Sequence, residues 1–130
     1  KNALDILKVD RIDHGVRIVD DEELVQRAIR EKMPLTQCPL SNLKLCVHKH
    51  ISENTIVDLL RKDVKVMINS DDPAYFGGYI GCNYLVVGEH FKLSVDEYKK
   101  FALNSFEATF LDDKRKNHYY NMVEQYVKSL

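Results

Sequence analysis

The stretch VKVMINSDDPAYFGGY, residues 64–79, sets two adjacent aspartates, Asp71 and Asp72, at the end of an apolar run. Neighbouring carboxylates repel, and ionised groups at the end of a buried strand carry a desolvation cost. A cation or a hydrogen-bonding ligand offsets both effects. Two more polar clusters follow short apolar runs: Asp13-His14-Gly15 and Cys38-Pro39-Leu40-Ser41-Asn42. Imidazole and carboxylate suit Zn²⁺, an Asp beside a ligating Asp can orient a substrate or hold a proton, and a His can orient an activated water. One His and one or two Asp fall short of the three protein ligands of a catalytic zinc site, so such a site would draw further ligands from elsewhere.

The elements that must position these residues alternate. Residues 9–16 read as a strand ending near His14. Asp20 with Glu23 forms a capping box for a helix carrying Leu24, Val25, Ala28 and Ile29 at helical spacing. Residues 33–39 read as a second strand, 40–50 as a loop, and Ser52 as the cap of a helix with Ile56, Leu59 and Leu60. Residues 64–69, rich in β-branched side chains, read as a third strand. After residue 80 the pattern is helical throughout. Ser94 and Glu97 form a capping box, Tyr98, Phe101, Ala102, Ser105 and Phe106 share one face, and Tyr119, Met122, Val123, Tyr126 and Leu130 mark a last helix. The two aromatic stripes read as core or barrel-packing surface.

Strand, helix, strand, helix, strand in close succession implies βαβ crossovers and a parallel sheet. Ligands of parallel α/β folds bind at the carboxyl ends of the strands, where all three polar clusters fall. Three parallel strands make a poor free-standing sheet, because both faces and both edges need cover. The expectation is that they belong to a larger α/β sheet or barrel whose other strands lie upstream. The opening KNALDILKVD, without a methionine or a clean cap, agrees with a chain that begins inside an element.

At 130 residues, with 45% hydrophobic side chains, the chain can bury a core. Its 19 basic and 20 acidic residues leave a net charge of −1, which disfavours a nucleic-acid surface built on charge. No apolar stretch reaches membrane-spanning length, and no segment of signal-peptide type opens the chain. Cys38, Cys46 and Cys82 form no CxxC pair and read as reduced thiols of a cytoplasmic protein.

Four motifs taken together, RIDHGVR (11–17), PLTQCPLSN (34–42), NSDDPAYFGGY (69–79) and NSFEATF (104–110), resemble the adenosine and AMP deaminase superfamily of zinc-dependent (β/α)8 barrels. The resemblance covers about residues 8–111, and RIDHGVR with AYFGGY points to its adenine-specific branch. It implies an α/β fold, the last three strand–helix units of a TIM barrel with the C-terminal helices, so that residues 1–130 are a C-terminal fragment of a metal-dependent deaminase barrel. It implies hydrolytic deamination of adenine to hypoxanthine and ammonia, a step of purine salvage, by a zinc-activated water that attacks C6. By the same resemblance Asp71 is the zinc ligand that also holds the attacking hydroxide. Asp72 hydrogen-bonds the purine at N7, and His14 orients the hydroxide and stabilises its charge. Ser41 and Asn42 take a structural or binding role at the mouth. The superfamily's His-x-His and His-x-x-Glu motifs, the latter supplying a zinc ligand and the N1 proton donor, are absent from these residues. The chain alone is therefore expected to bind zinc poorly and to be inactive. Glu53-Asn54 and Asp63 also depart from the His-containing and Gly residues expected there.

Competing readings are blander. Asp71-Asp72 could be a solvated turn, His14 a core histidine bonded to backbone, and Cys38 a small buried thiol; the last is the favoured reading of Cys38. Cys46-x-His48-x-His50 matches no common zinc spacing. His90 and His118 read as surface residues. The alternatives to an adenine deaminase are an adenosine deaminase of the same superfamily and a non-catalytic remnant that self-associates through open sheet edges. A phosphate-accepting signalling domain is disfavoured by the position of the acidic pair after the last strand. The expected partners are a small purine and a second copy of the chain, with neither nucleic acid nor membrane.

Overall fold

The computed structural model describes residues 1–130. Short β-strands β1 (Ile12–Asp13), β2 (Leu35–Gln37) and β3 (Val66–Ile68) form one parallel sheet in the order β1-β2-β3. Ile12 lies opposite Leu35 and Leu35 opposite Val66, while Asp13 lies opposite Thr36 and Thr36 opposite Met67. Side chains alternate across a strand. Leu35, Val66 and Ile68 accordingly join one apolar core, to which Thr36 and Met67 do not belong. The same register brings the three strand ends, with their polar clusters, side by side.

Helices α1 (Asn2–Asp5), α2 (Glu22–Arg30) and α4 (Ile56–Arg61) precede the three strands in turn, so the crossovers run through α2 and α4. Val25 and Ala28 of α2, and Ile56, Val57, Leu59 and Leu60 of α4, are buried against the strands. Asp21 caps α2, its side chain accepting from the amides of Glu23 and Leu24, one residue later than the capping box read around Asp20. Asp20 instead pairs with Arg17 at the end of a 3-10 turn, Val16–Asp20, that takes up the chain after β1. Helix α4 starts after Thr55, and the nearby cap-like bond comes from Asn54, whose Oδ1 accepts from the Ile56 amide at 3.0 Å, not from Ser52. Ser52 lies in a separate short 3-10 turn, Ile51–Glu53.

The first strand is shorter than the expected 9–16: residues 9–11 lie outside it, and His14 and Gly15 end it with left-handed backbone, with φ of 60° and 67°. The expected loop at 40–50 begins as helix α3 (Pro39–Lys44), with Pro39 in its first turn. A proline there loses no helical hydrogen bond and starts with a suitable φ. Asp63, where the family pattern places Gly, also has a positive φ of 65°; aspartate tolerates this region, and Asp63 pairs with Lys100 at 2.5 Å.

After β3 come α5 (Pro73–Phe76), α6 (Ile80–Phe91), α7 (Val95–Glu107) and α8 (Asp113–Lys128). The capping box of Ser94 and Glu97 is present at the start of α7. Lys65 carbonyl accepts from Leu35 of β2, so the Val66 carbonyl points to the other side of β3, where Asn104 of α7 donates to it at 2.8 Å. Arg61 with Glu97 at 2.7 Å, and Lys65 with Glu107, add ion pairs between α7 and the β3 region. The aromatic stripes are only partly core. Phe101 is fully buried, whereas α8 buries no residue, and its Met122 and Tyr126 lie in an apolar groove against α7. No helix is long and apolar enough to cross a membrane.

Gly88 lies within α6, where glycine lowers helical stability. A Cβ there would stand 1.5 Å from Oη of Tyr98, whose ring stacks on Tyr84 with centroids 6.3 Å apart. Close approach of α6 and α7 therefore requires the missing side chain. Gly88→Ala should lower unfolding stability by about 1–3 kcal/mol in urea titration despite alanine's better helix propensity. Unchanged stability would show that the Tyr98 ring moves aside freely.

Candidate active site

The left-handed turns at the strand ends shape the site. His14 follows β1 and Asp71 follows β3 after two residues, with Asp71 at φ 58°. Left-handed backbone is unusual for residues other than glycine, though Asp and His visit it more readily than bulky residues. At each strand end the turn interrupts the strand and brings a polar side chain to the mouth. The imidazole Nε2 of His14 lies 3.7 Å from Asp71 Oδ2, beyond a direct hydrogen bond but well within electrostatic reach. Both side chains are partly exposed.

Asp71 is held from two directions. Ser41, fully buried in α3, donates from Oγ to Asp71 Oδ2 at 2.6 Å. The amide of Asp72 donates to Asp71 Oδ1 at 2.9 Å. Asp72 turns the other way and caps α5: its Oδ1 accepts from the amides of Ala74 and Tyr75, each at 3.1 Å. The two like charges thus acquire separate hydrogen-bond donors, which relieves their juxtaposition.

An open cleft of about 490 Å³ is lined by Asp13, His14, Thr36, Cys38, Asn69, Ser70, Asp71 and Ile80. No Lys or Arg lines it; Arg11 pairs with Asp13 from outside the cleft, and Asp71 has no Lys or Arg partner. His14, Cys38 and Asp71 each present one donor atom there, all within 4.8 Å of one another. Asp72 does not line this cleft; it follows Asp71 as the N-cap of α5. Asn42, buried in α3, makes no side-chain hydrogen bond to Asp71; its backbone carbonyl accepts from the amides of Val47 and His48 and shapes the following loop.

Cys38 is buried, and its thiol donates to the Thr36 carbonyl at 3.7 Å. Burial first, and then the negative charge of Asp71, push its pKa up to about 11. At neutral pH it is a protonated wall of the cleft. The motif Cys46-x-His48-x-His50 forms no cluster of metal donors.

Asn83 was not apparent as a site residue from the sequence. It is fully buried in α6, its Oδ1 accepts from the Leu40 amide at 3.0 Å, and its Nδ2 donates to the carbonyls of Gly78 and Tyr79. It joins the start of α3, which carries Ser41, to the Gly77-Gly78 turn beyond α5. Gly78 has a φ of 100°, and a Cβ there would meet the Leu40 side chain at 2.5 Å. The only available sequence signal for Asn83 was a polar residue inside an apolar helical run.

These strands and crossovers define a parallel α/β fold with polar groups gathered at the strand ends, and the chain belongs to the adenosine deaminase family, whose profile matches residues 1–126. Within that family it is similar to adenine deaminases. It is 52% identical over 126 residues to the adenine deaminase of Vibrio parahaemolyticus, covering 97% of this chain and 37% of that protein. It is 54% identical over 123 residues to that of Acinetobacter baylyi, covering 95% of this chain and 37% of that protein. The chain thus spans little more than a third of the length of these curated relatives. The crystal structure of adenine deaminase from Arthrobacter aurescens superimposes with a TM-score of 0.95 at 41% identity, covering 98% of this chain and 39% of that one. An amidohydrolase from Burkholderia ambifaria, solved with bound zinc, shares the fold at a TM-score of 0.82 and 24% identity, covering 99% of this chain and 38% of that one. The three strands and their helices are part of a (β/α)8 barrel, as the family resemblance implied; the alternation of strand and helix alone implied the parallel sheet.

Cys46 and Cys82 are exposed, whereas Cys38 is buried and protonated. In native protein at pH 8, these two thiols should react rapidly with Ellman's reagent, and Cys38 only after unfolding. Rapid reaction of Cys38, identified by mass spectrometry of the labelled peptides, would contradict its placement.

Proposed function

We propose that residues 1–130 are the C-terminal part of a metal-dependent deaminase barrel, and that the whole protein hydrolyses adenine to hypoxanthine and ammonia in cytoplasmic purine salvage. The observation that carries this reading is the constellation of Asp71, Asp72 and His14 at adjoining parallel strand ends, with His14 Nε2 3.7 Å from Asp71 Oδ2. More than 50% identity to the Vibrio and Acinetobacter adenine deaminases supports adenine as substrate.

The donor set fits zinc: a carboxylate and an imidazole converge in a cleft without Lys or Arg, and Ser41 fixes the carboxylate. Asp71 would hold the ion, with the remaining ligands supplied by other strands of the barrel. Zinc, when bound, supplies Lewis acidity that activates water for attack at neutral pH. Asp71 also accepts a hydrogen bond from the attacking water. His14 Nε2 would orient that water and stabilise the negative charge its oxygen acquires on losing a proton, before that charge passes to the ring in the attack on C6. Asp72 uses Oδ1 to cap α5, which leaves Oδ2 to hydrogen-bond the purine at N7. The Glu that the family resemblance makes the N1 proton donor, in a His-x-x-Glu motif, is not among residues 1–130, so these residues alone should not turn over adenine.

The test is loss of ultraviolet absorbance with adenine and adenosine in parallel, using the zinc-loaded full-length protein that carries this chain. Turnover of adenine and not adenosine is expected. Preference for adenosine would overturn the substrate assignment, and turnover of neither would remove the activity. Asp71→Asn should lose both metal and turnover. Asp72→Asn should keep its metal and lose turnover by about 10²-fold or more; a fully active Asp72→Asn variant would remove Asp72 from the site.

A further inference from the structure

We propose that Thr36, Asp13 and Arg11 form a positioning relay that fixes the backbone of His14, and with it the aim of the imidazole, against the segment that follows α7. The inference rests on the role of His14 in the proposed deamination. None of the three residues needs to touch substrate for it.

The relay starts at the strained position. His14 has a φ of 60° and is followed by Gly15, also left-handed. Two successive left-handed residues have no repeating backbone pattern to hold them, so local hydrogen bonds must define the turn. The His14 amide donates to the Thr36 carbonyl at 2.9 Å and also to Thr36 Oγ1 at 3.2 Å. With its own hydrogen, Thr36 Oγ1 donates to Asp13 Oδ1 at 3.0 Å. One hydroxyl therefore accepts from the amide of His14 and donates to the residue preceding it. A hydroxyl used as donor and acceptor together has a defined orientation, which a single contact would not give.

Asp13 extends the relay outward. Its Oδ1 lies 3.5 Å from Nε of Arg11, an atom that is buried and has no hydrogen-bond partner of its own. The charge of Asp13, whose side chain is exposed, lies on the side of the half-buried guanidinium where Nε lacks a hydrogen-bond partner. The other side of the Arg11 guanidinium is anchored far along the chain. Nη1 donates to the Ala108 carbonyl at 3.3 Å, and the guanidinium carbon lies 4.8 Å from the centroid of the Phe110 ring. Ala108 and Phe110 belong to the NSFEATF motif, whose Asn104 is bonded to β3. The relay thus ties the mouth of β1 to the end of α7, and β2 supplies the hydroxyl between them. It also accounts for two motif features, the Arg in RIDHG and the Thr in PLTQCP, that have no place in the chemistry itself.

The experiment compares Thr36→Val, which keeps shape and removes the hydroxyl, with Thr36→Ser, which keeps the hydroxyl. Steady-state kinetics and zinc content are measured on the full-length protein, and the His14 amide is followed by NMR after ¹⁵N-histidine labelling. Thr36→Val should lower kcat about five- to tenfold, leave KM within about twofold and retain zinc. Its His14 amide signal should move. Thr36→Ser should restore both kcat and the amide signal. Arg11→Met, which keeps the stem and removes the charge, should lower kcat in the same sense. Wild-type kcat and an unmoved His14 amide in Thr36→Val would overturn the relay. So would a Thr36→Ser variant as impaired as Thr36→Val, which would make the methyl packing the cause. If the wild-type protein does not deaminate adenine, the proposed function falls, and the amide signals alone then decide the relay.

Discussion

Asp71 is an ionisable group in left-handed backbone at the end of a buried strand, and the buried hydroxyl of Ser41 holds one of its oxygens at 2.6 Å. Most of what surrounds it can be understood as meeting that constraint. The parallel register places β1 and β3 on either side of β2, so that His14 and Asp71 face one cleft from flanking strands. Helix α3 starts directly after β2 and brings Ser41 beneath the carboxylate, while Asn83 fixes the start of α3 from α6. Asp72 is turned away by its own capping bonds, which separates two like charges that the sequence sets side by side.

The support behind the site comes from the C-terminal helices. Lys100 donates to the Leu60 carbonyl and pairs with Asp63, while Arg61 pairs with Glu97. Exposed pairs of this kind add little stability individually. Their number on one helix face, together with the buried Phe101 and the Asn104 bond to Val66, fixes α7 against α4 and β3. Lys100 holds the Asp63 carboxyl below the usual range, and Arg61 does the same for Glu97. Carboxyls depressed in the folded state support it at neutral pH and cease to do so as pH falls through their depressed values.

Much of this was legible in the sequence because the strand ends carry uncommon residue combinations. The alternation of apolar runs and helical periodicity identifies the parallel sheet, and DHG and SDDP after such runs mark its mouth. Capping was less legible. Asp20 and Asp21 are adjacent acids, and only the backbone after the 3-10 turn decides that Asp21 caps α2. Ser52 has the right chemistry for a cap but sits in its own short turn. Residues 40–50 lack a clear apolar period, yet Pro39 starts a helix there because its ring fixes φ near the helical value in the first turn. Asn83 and Thr36 act through partners distant in sequence, Leu40 and Asp13, which local pattern does not contain. The stripe on α8 has the periodicity of a buried helix but is left at an open groove, so periodicity identified its apolar face without identifying what it packs on.

The central claim is that Asp71 is a metal ligand, oriented by Ser41 and faced by His14. Anomalous diffraction at the zinc edge, on crystals of the zinc-loaded full-length protein, tests it most directly. The account predicts a peak about 2.0–2.2 Å from a carboxylate oxygen of Asp71. A fully occupied zinc peak elsewhere, with Asp71 bonded only to Ser41 and Asp72, would contradict it.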